Sequence, residues 1–214
     1  MKKVFFILAL AATLCAHAQN ASSGLHFEMN VDVMGHINLS AVDISRNITN
    51  AIFDNRNANS RTSLYGGPGA DVELGVAFSD FFLGAGVQYS ADFTKNTVGY
   101  LSGFRTENVE VSYTHTILPI YAVFKAYIGK DSGLEGITEL AIGGFPRTWL
   151  SYSWNSTGSI PAGSDTERYN GGFFFRIGTG VAINRFNIGI GYEKRLNNKF
   201  NDNMVYLKLG FRIG

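Results

Sequence analysis

The chain is poor in cysteine and proline, with one Cys and four Pro in 214 residues, and carries a formal charge of only +1. Cys15 stands near the N-terminus, so the body of the chain has no disulfide framework and no thiolate metal site; an exported chain without cysteine also avoids stray disulfides in an oxidising compartment. The near-zero charge supplies no basic field for nucleic acid. Beyond residue 18 there is no apolar run long enough to cross ~30 Å of hydrocarbon as a helix. If this chain meets a membrane it must do so as a closed barrel, because lipid offers no partner for an unpaired backbone group.

The first residues have their own composition. Lys2 and Lys3 are followed by an apolar stretch from Val4 to Leu14, then Ala16-His17-Ala18 and Gln19. Small residues before a cut, behind a short apolar run with a positive start, predict a secretory signal peptide over 1–18 and a mature domain over 19–214. Loss of Lys2 and Lys3 takes the formal charge from +1 to −1. A membrane anchor would need a longer run, and a lipoprotein cysteine would need a small residue where Leu14 stands.

What remains is rich in Gly (25), Phe (17) and Tyr (10), and its period is two. Val205, Leu207, Leu209, Phe211 and Ile213 alternate with Tyr206, Lys208, Gly210 and Arg212. The same alternation runs through Phe186–Tyr192, Phe173–Ile183, Phe81–Tyr89, Val72–Phe78 and Phe27–Val33. One face is bulky and apolar; the other carries glycine and isolated charges of both signs. A soluble lipocalin-like barrel would need far more charge on its outer face. Large apolar groups facing lipid around a narrow polar interior fit the pattern instead. Ser79-Asp80, Asn184-Arg185 and the link around Gly129–Gly136 read as short turns, alternating with longer polar segments at about 37–66, 95–107, 155–170 and 197–203. This predicts an all-β, eight-stranded, antiparallel, up-and-down transmembrane β-barrel with strands near 25–36, 67–78, 81–94, 108–127, 137–154, 171–183, 186–196 and 203–214. An even count returns both ends to the periplasmic side. Pro119 cannot donate to a ladder, and the apolar parity changes near it, from Val109, Val111 and Tyr113 to Leu118, Ile120 and Phe124; both predict a bulge or strand end there.

The run Leu118-Pro119-Ile120-Tyr121-Ala122-Val123-Phe124-Lys125 resembles a strand segment of the small outer-membrane β-barrels common in Bacteroidota, the PorT-like and OmpA/OmpX-like barrels. The resemblance implies a porin-like fold in the bacterial outer membrane, with outer-membrane lipid and lipopolysaccharide around it and the barrel assembly machinery as a partner.

Chemistry is sparse. The histidines outside the leader, His26, His36 and His115, are scattered, without HExxH-like spacing, so no metal site is expected. His36 reads as a solvated rim residue. No G-x-S-x-G elbow occurs, and Gly66-Gly67-Pro68-Gly69 lacks the Lys-Ser/Thr of a phosphate loop. No catalytic residue and no cofactor is expected. Charges on the polar parity, Glu28, Asp32, Glu73, Arg176, Glu193, Lys208 and Arg212, predict a structural lumen network, with Glu28 near Arg212 and Asp32 near Lys208 where the first and last strands meet. Trp149, Tyr152, Trp154, Phe173, Tyr192 and Phe93 predict an interfacial girdle. The expected role is a non-enzymatic membrane-integrity or surface-interaction protein working through its external loops, with an unknown envelope protein as a further partner. The alternatives are an enzyme acting on lipid or peptide at the rim and an accessory subunit of a secretion or uptake complex.

Overall fold

In the computed structural model, the described residues are 24–39, 59–61, 65–102, 105–129, 133–156, 162–198 and 200–214. The predicted signal peptide and most of the predicted 37–66 loop lie outside them. The elements are β1 (His26–Asn38), β2 (Asn59–Arg61), β3 (Tyr65–Phe78), β4 (Phe81–Ser102), β5 (Arg105–Ile117), β6 (Ile120–Ile128), β7 (Leu134–Ser156), β8 (Gly163–Ile183), β9 (Phe186–Leu196) and β10 (Asn201–Ile213).

All pairings are antiparallel, and the ring closes where β1 pairs β10, from Met29↔Ile213 to Asn38↔Met204. β5 and β6 both lie between β4 and β7, so they form one stave broken at Leu118-Pro119. Nine strands thus make eight staves, and β2 is a short addition alongside the upper part of β4. The register fixes the shape. Following paired residues from Phe93 through Gly66, Ile37, Val205, Tyr192, Ile177, Leu140 and Phe124 returns to β4 at Leu83, ten residues displaced. A stagger of that size over eight staves tilts the strands by roughly 40° and leaves an interior that side chains can fill.

The tight turns Ser79-Asp80 and Asn184-Arg185 each place a non-glycine residue at positive φ, 50° at Ser79 and 56° at Asn184. Those two turns, the β6–β7 link and both described chain ends share one end of the barrel. Most of the described residues in two of the predicted loops at the other end are strand. β4 and β5 pair up to Ser102↔Arg105, and β7 and β8 up to Trp154↔Gly163. Residues within 95–107 and 155–170 therefore continue the sheet as a four-strand extension on one side of the barrel.

The bulge is not where the sequence pattern put it. The side chains of β5 and β6 keep one parity, with odd residues from Val109 to Lys125 buried, and both strands share one register against β4. Pro119 ends a strand but shifts nothing. The shift lies next door: Ile117 pairs Thr148 while Ile120 pairs Gly144, so β7 carries one extra residue around Pro146. Buried positions on β7 are odd through Phe145 and even from Thr148. β8 compensates at Gly171, whose φ of +65° suits a residue without Cβ. The change of apolar parity along β5–β6 has another cause. Ile120, Phe124 and Ile128 point outward in an apolar belt, whereas Val109, Val111 and Tyr113 point inward in the extension, where Glu110, Ser112 and Thr114 cover the outside. The alternation inverts because the surroundings of the outer face change from apolar to aqueous.

Candidate functional site: the charged lumen

The belt is formed by outward side chains on every stave, among them Phe27, Val33, Leu74, Leu83, Ile120, Ile142, Ile177, Ile188 and Leu207, all exposed. Inside the same strands the polar parity converges. Arg176 on β8 is 0% exposed and stands at the centre. Its Nη1 donates to Asp71 at 2.6 Å, its Nη2 to Glu73 at 2.7 Å, and its Nε lies 2.6 Å from Glu139. Gln88 accepts from the same guanidinium, and the Tyr121 ring packs under it with its centroid 4.8 Å away. Lys125 reaches Glu73 at 2.5 Å, and Lys208 bridges Glu139 at 2.6 Å and Asp32 at 3.1 Å. Four carboxylates and three cations thus share one enclosed layer. Pairing is obligatory here, since an uncompensated buried charge costs several kcal/mol.

The lumenal glycines make this packing possible. A Cβ at Gly86 would meet the Tyr121 ring, and one at Gly178 would land on the Tyr206 hydroxyl. A cavity of about 20 Å³, bordered by Lys125, Glu139, Tyr206 and Lys208, is the size of a single water.

A lower layer lies towards the tight turns. Arg212 forks onto Glu135 at 2.8 and 3.1 Å, and Glu28 accepts from Tyr127 at 2.7 Å and Asn30 at 3.0 Å. The expected contact between Glu28 and Arg212 is replaced by these two. Asn30, not Glu28, is the register partner of Arg212, and the long guanidinium stem crosses to β7.

An upper layer lies at the top of the belt. Arg195 contacts Glu193 at 2.5 Å and Asp92 at 3.2 Å, and Gln88 donates to Glu193 at 3.1 Å. His36 pairs with Asp92 and is buried, so it is not the solvated rim residue expected. His115 Nε2 lies 2.7 Å from Thr148 Oγ1, and its Nδ1 is 3.5 Å from Asp202 Oδ2. Phe200 closes this layer edge-on against His115, ring centroids 4.8 Å apart, and stacks on Phe145. His115 and Asp202 sit above the apolar belt. Burial pushes the His115 imidazole down to about 4 against the opposing effect of Asp92. Burial pushes the Asp202 carboxyl up to about 7, although Arg195 and an Asn38 hydrogen bond lower it.

Of the seven charges singled out from sequence, Asp32, Glu73, Arg176 and Lys208 meet in the middle layer, Glu193 belongs to the upper one, and Glu28 and Arg212 to the lower one. Asp71, Lys125 and Glu139 complete the middle layer and were on the polar parity of their strands. Arg195 continues the polar parity of Asn187 to Glu193 at the end of its predicted strand but was not singled out, and Asp202 lies in the predicted 197–203 loop, where no strand parity was read. Of the predicted girdle, Phe93 and Phe173 are exposed on the outer face. Tyr152 is buried on the inner side of the extension, where it stacks with Trp154 and donates to Asp165 at 3.1 Å. The bulge in β7 is what turned it inward.

No protein-family profile and no curated protein sequence matches the chain. Solved structures of small barrels do. Ail, the attachment invasion locus protein of Yersinia pestis, in complex with the heparin analogue sucrose octasulfate, aligns with 10% identity and a TM-score of 0.48 over 88% of this chain and 99% of that one. Neisserial surface protein A aligns at 13% identity, TM-score 0.41, over 89% and 98%. The N-terminal β-barrel domain of Pseudomonas aeruginosa OprF aligns at 12%, TM-score 0.37, over 87% and 97%.

Proposed function

We propose that the chain is an integral bacterial outer-membrane β-barrel with a sealed lumen. It acts without catalysis, as a membrane-integrity or surface-interaction protein that presents its extended strands to the outside. The carrying observation is the pairing of two faces in the same strands: a belt of exposed aliphatic and aromatic side chains around an interior of enclosed, mutually paired charges. The outward apolar positions of β1 run from Phe27 to Ile37, and about 9–11 tilted residues suffice for a strand to cross a bilayer. Water cannot be the solvent of such a belt. Lipid and lipopolysaccharide are its surroundings, and the barrel assembly machinery is the route in. The small Bacteroidota barrels remain the family this reading favours; the segment Leu118–Lys125 that carries the resemblance is the β6 part of the broken stave.

A non-enzymatic role is favoured because the two imidazole–carboxylate pairs, His36–Asp92 and His115–Asp202, are enclosed among side chains instead of facing a cleft. The test is fractionation of cells together with gel migration of unheated samples, where a closed barrel resists detergent unfolding and runs apart from the heated form. Purified protein in planar bilayers should show no large steady conductance. Recovery in the soluble periplasm would overturn the membrane reading, and a stable open channel would overturn the sealed lumen.

A further inference from the structure

The upper layer differs from the two below it in charge. The middle layer sets four carboxylates against three cations, and the lower sets Glu28 and Glu135 against Arg212. In the upper layer, among the described residues, Asp92, Glu193 and Asp202 share a single cation, Arg195. Three carboxyl groups around one guanidinium, with the His36 imidazole against Asp92, make an enclosed space that favours a further cation or a proton. Two carboxylates and an imidazole also converge there: ligand atoms of Asp92, His115 and Asp202 all lie within 4.8 Å of one another.

The imidazole supplies an independent indication. Thr148 donates its hydroxyl proton to the Thr116 carbonyl at 3.0 Å. Its oxygen can then only accept from His115, so the ring proton of neutral His115 sits on Nε2. The lone pair on Nδ1 points into the layer, at Asp202 Oδ2 3.5 Å away, and Nδ1 has no hydrogen-bond partner. A buried lone pair aimed at a carboxylate oxygen is repulsive unless a proton or a metal cation lies between them. For metal–ligand bonds of about 2.0–2.1 Å, tetrahedral geometry places neighbouring ligand atoms about 3.4 Å apart, close to the 3.5 Å between His115 Nδ1 and Asp202 Oδ2.

We propose that Asp92, His115 and Asp202 form a binding site for one divalent transition-metal ion, of the zinc class, that ties β4, β5 and β10 together at the top of the lumen. One imidazole with two carboxylates suits a borderline ion better than calcium or magnesium, which prefer all-oxygen shells. The outer shell is in place. His36 and Arg195 hold Asp92, and Thr148 fixes the His115 tautomer, the arrangement that orients ligands in metal sites. Phe200 and Phe145 keep water off one side.

The test uses untagged full-length mature protein, stripped with chelator and refolded into detergent or lipid vesicles with zinc supplied either during or after refolding, because the ligands are enclosed. We expect one zinc per chain and a raised unfolding temperature, with calcium and magnesium ineffective. His115→Gln and Asp202→Asn should abolish saturable binding. His36→Gln should weaken it by about 10–100-fold, the usual effect of losing an outer-shell partner. Asp32→Asn, in the middle layer, should leave zinc affinity unchanged. Should the ligand variants fail to fold, cobalt in the unaltered protein decides: X-ray absorption with one imidazole nitrogen among oxygen ligands supports the site, and an all-oxygen shell overturns it. Absence of stoichiometric binding under both loading orders, or binding indifferent to both ligand substitutions, also overturns it.

Discussion

Lys208 Nζ lies 3.1 Å from Asp32 Oδ2 across the seam where β1 and β10 close the barrel. Four residues further along β10, Arg212 leaves the seam and forks onto Glu135 of β7. One cation therefore ties the seam locally, and the other braces it across the lumen. Reversal of either charge in the Arg212–Glu135 pair should lower stability, and Arg212→Glu combined with Glu135→Arg should recover part of the loss. Coupling of about 1–2 kcal/mol is expected for a half-enclosed pair. Glu28→Arg should not substitute for Glu135→Arg. Urea midpoints in lipid vesicles measure the cycle; strictly additive losses would contradict the pairing.

Arg176→Met should be the most damaging single change in the barrel wall. It removes the shared partner of Asp71, Glu73 and Glu139 and leaves carboxylates enclosed, a loss of about 3–5 kcal/mol. Adding Asp71→Asn and Glu73→Gln to Arg176→Met should restore part of it, since neutral amides no longer need the cation. The same urea titration reads both, and an undiminished midpoint for Arg176→Met would show that the centre is solvated.

Gly178→Ala should cost about 1–3 kcal/mol through overpacking against the Tyr206 hydroxyl. Tyr206→Phe removes the oxygen that the new methyl would meet and should rescue most of the loss. Unfolding midpoints of the two single variants and the pair test this. Absence of rescue would place the strain in the backbone instead.

The inverted alternation of the extension can be read by chemical labelling, since the only cysteine is Cys15. With Cys15 removed with the leader or replaced, Glu110→Cys and Ser153→Cys should react with a membrane-impermeant maleimide on intact cells. Val111→Cys and Tyr152→Cys, on the inner face, should be protected, and so should Phe124→Cys in the belt. Labelling of Tyr152→Cys with protection of Ser153→Cys would remove the β7 bulge.

The sequence by itself determined that the chain forms strands, about how many, where most of them turn, and that charge lies on one face and bulk on the other. A period of two is a local property, and Val205 to Ile213 shows it without reference to any partner. Tertiary structure decided the rest. Parity says which residues share a face but not which medium lies beyond it, so Val109 and Ile120 looked like two sides of a bulge when one faces the lumen and the other the belt. The bulge itself lies at Pro146 and Gly171, because register is a relation between two strands and only the pairing of β7 with β5 and β6 reveals the extra residue. The same holds for the polar centre. Lys208 and Asp32 could be matched from sequence because neighbouring staves set them side by side. Arg176 with Glu73, His115 with Asp202, and Arg212 with Glu135 meet only because a ten-residue stagger over eight staves brings distant strands to within a side chain's reach across a narrow lumen.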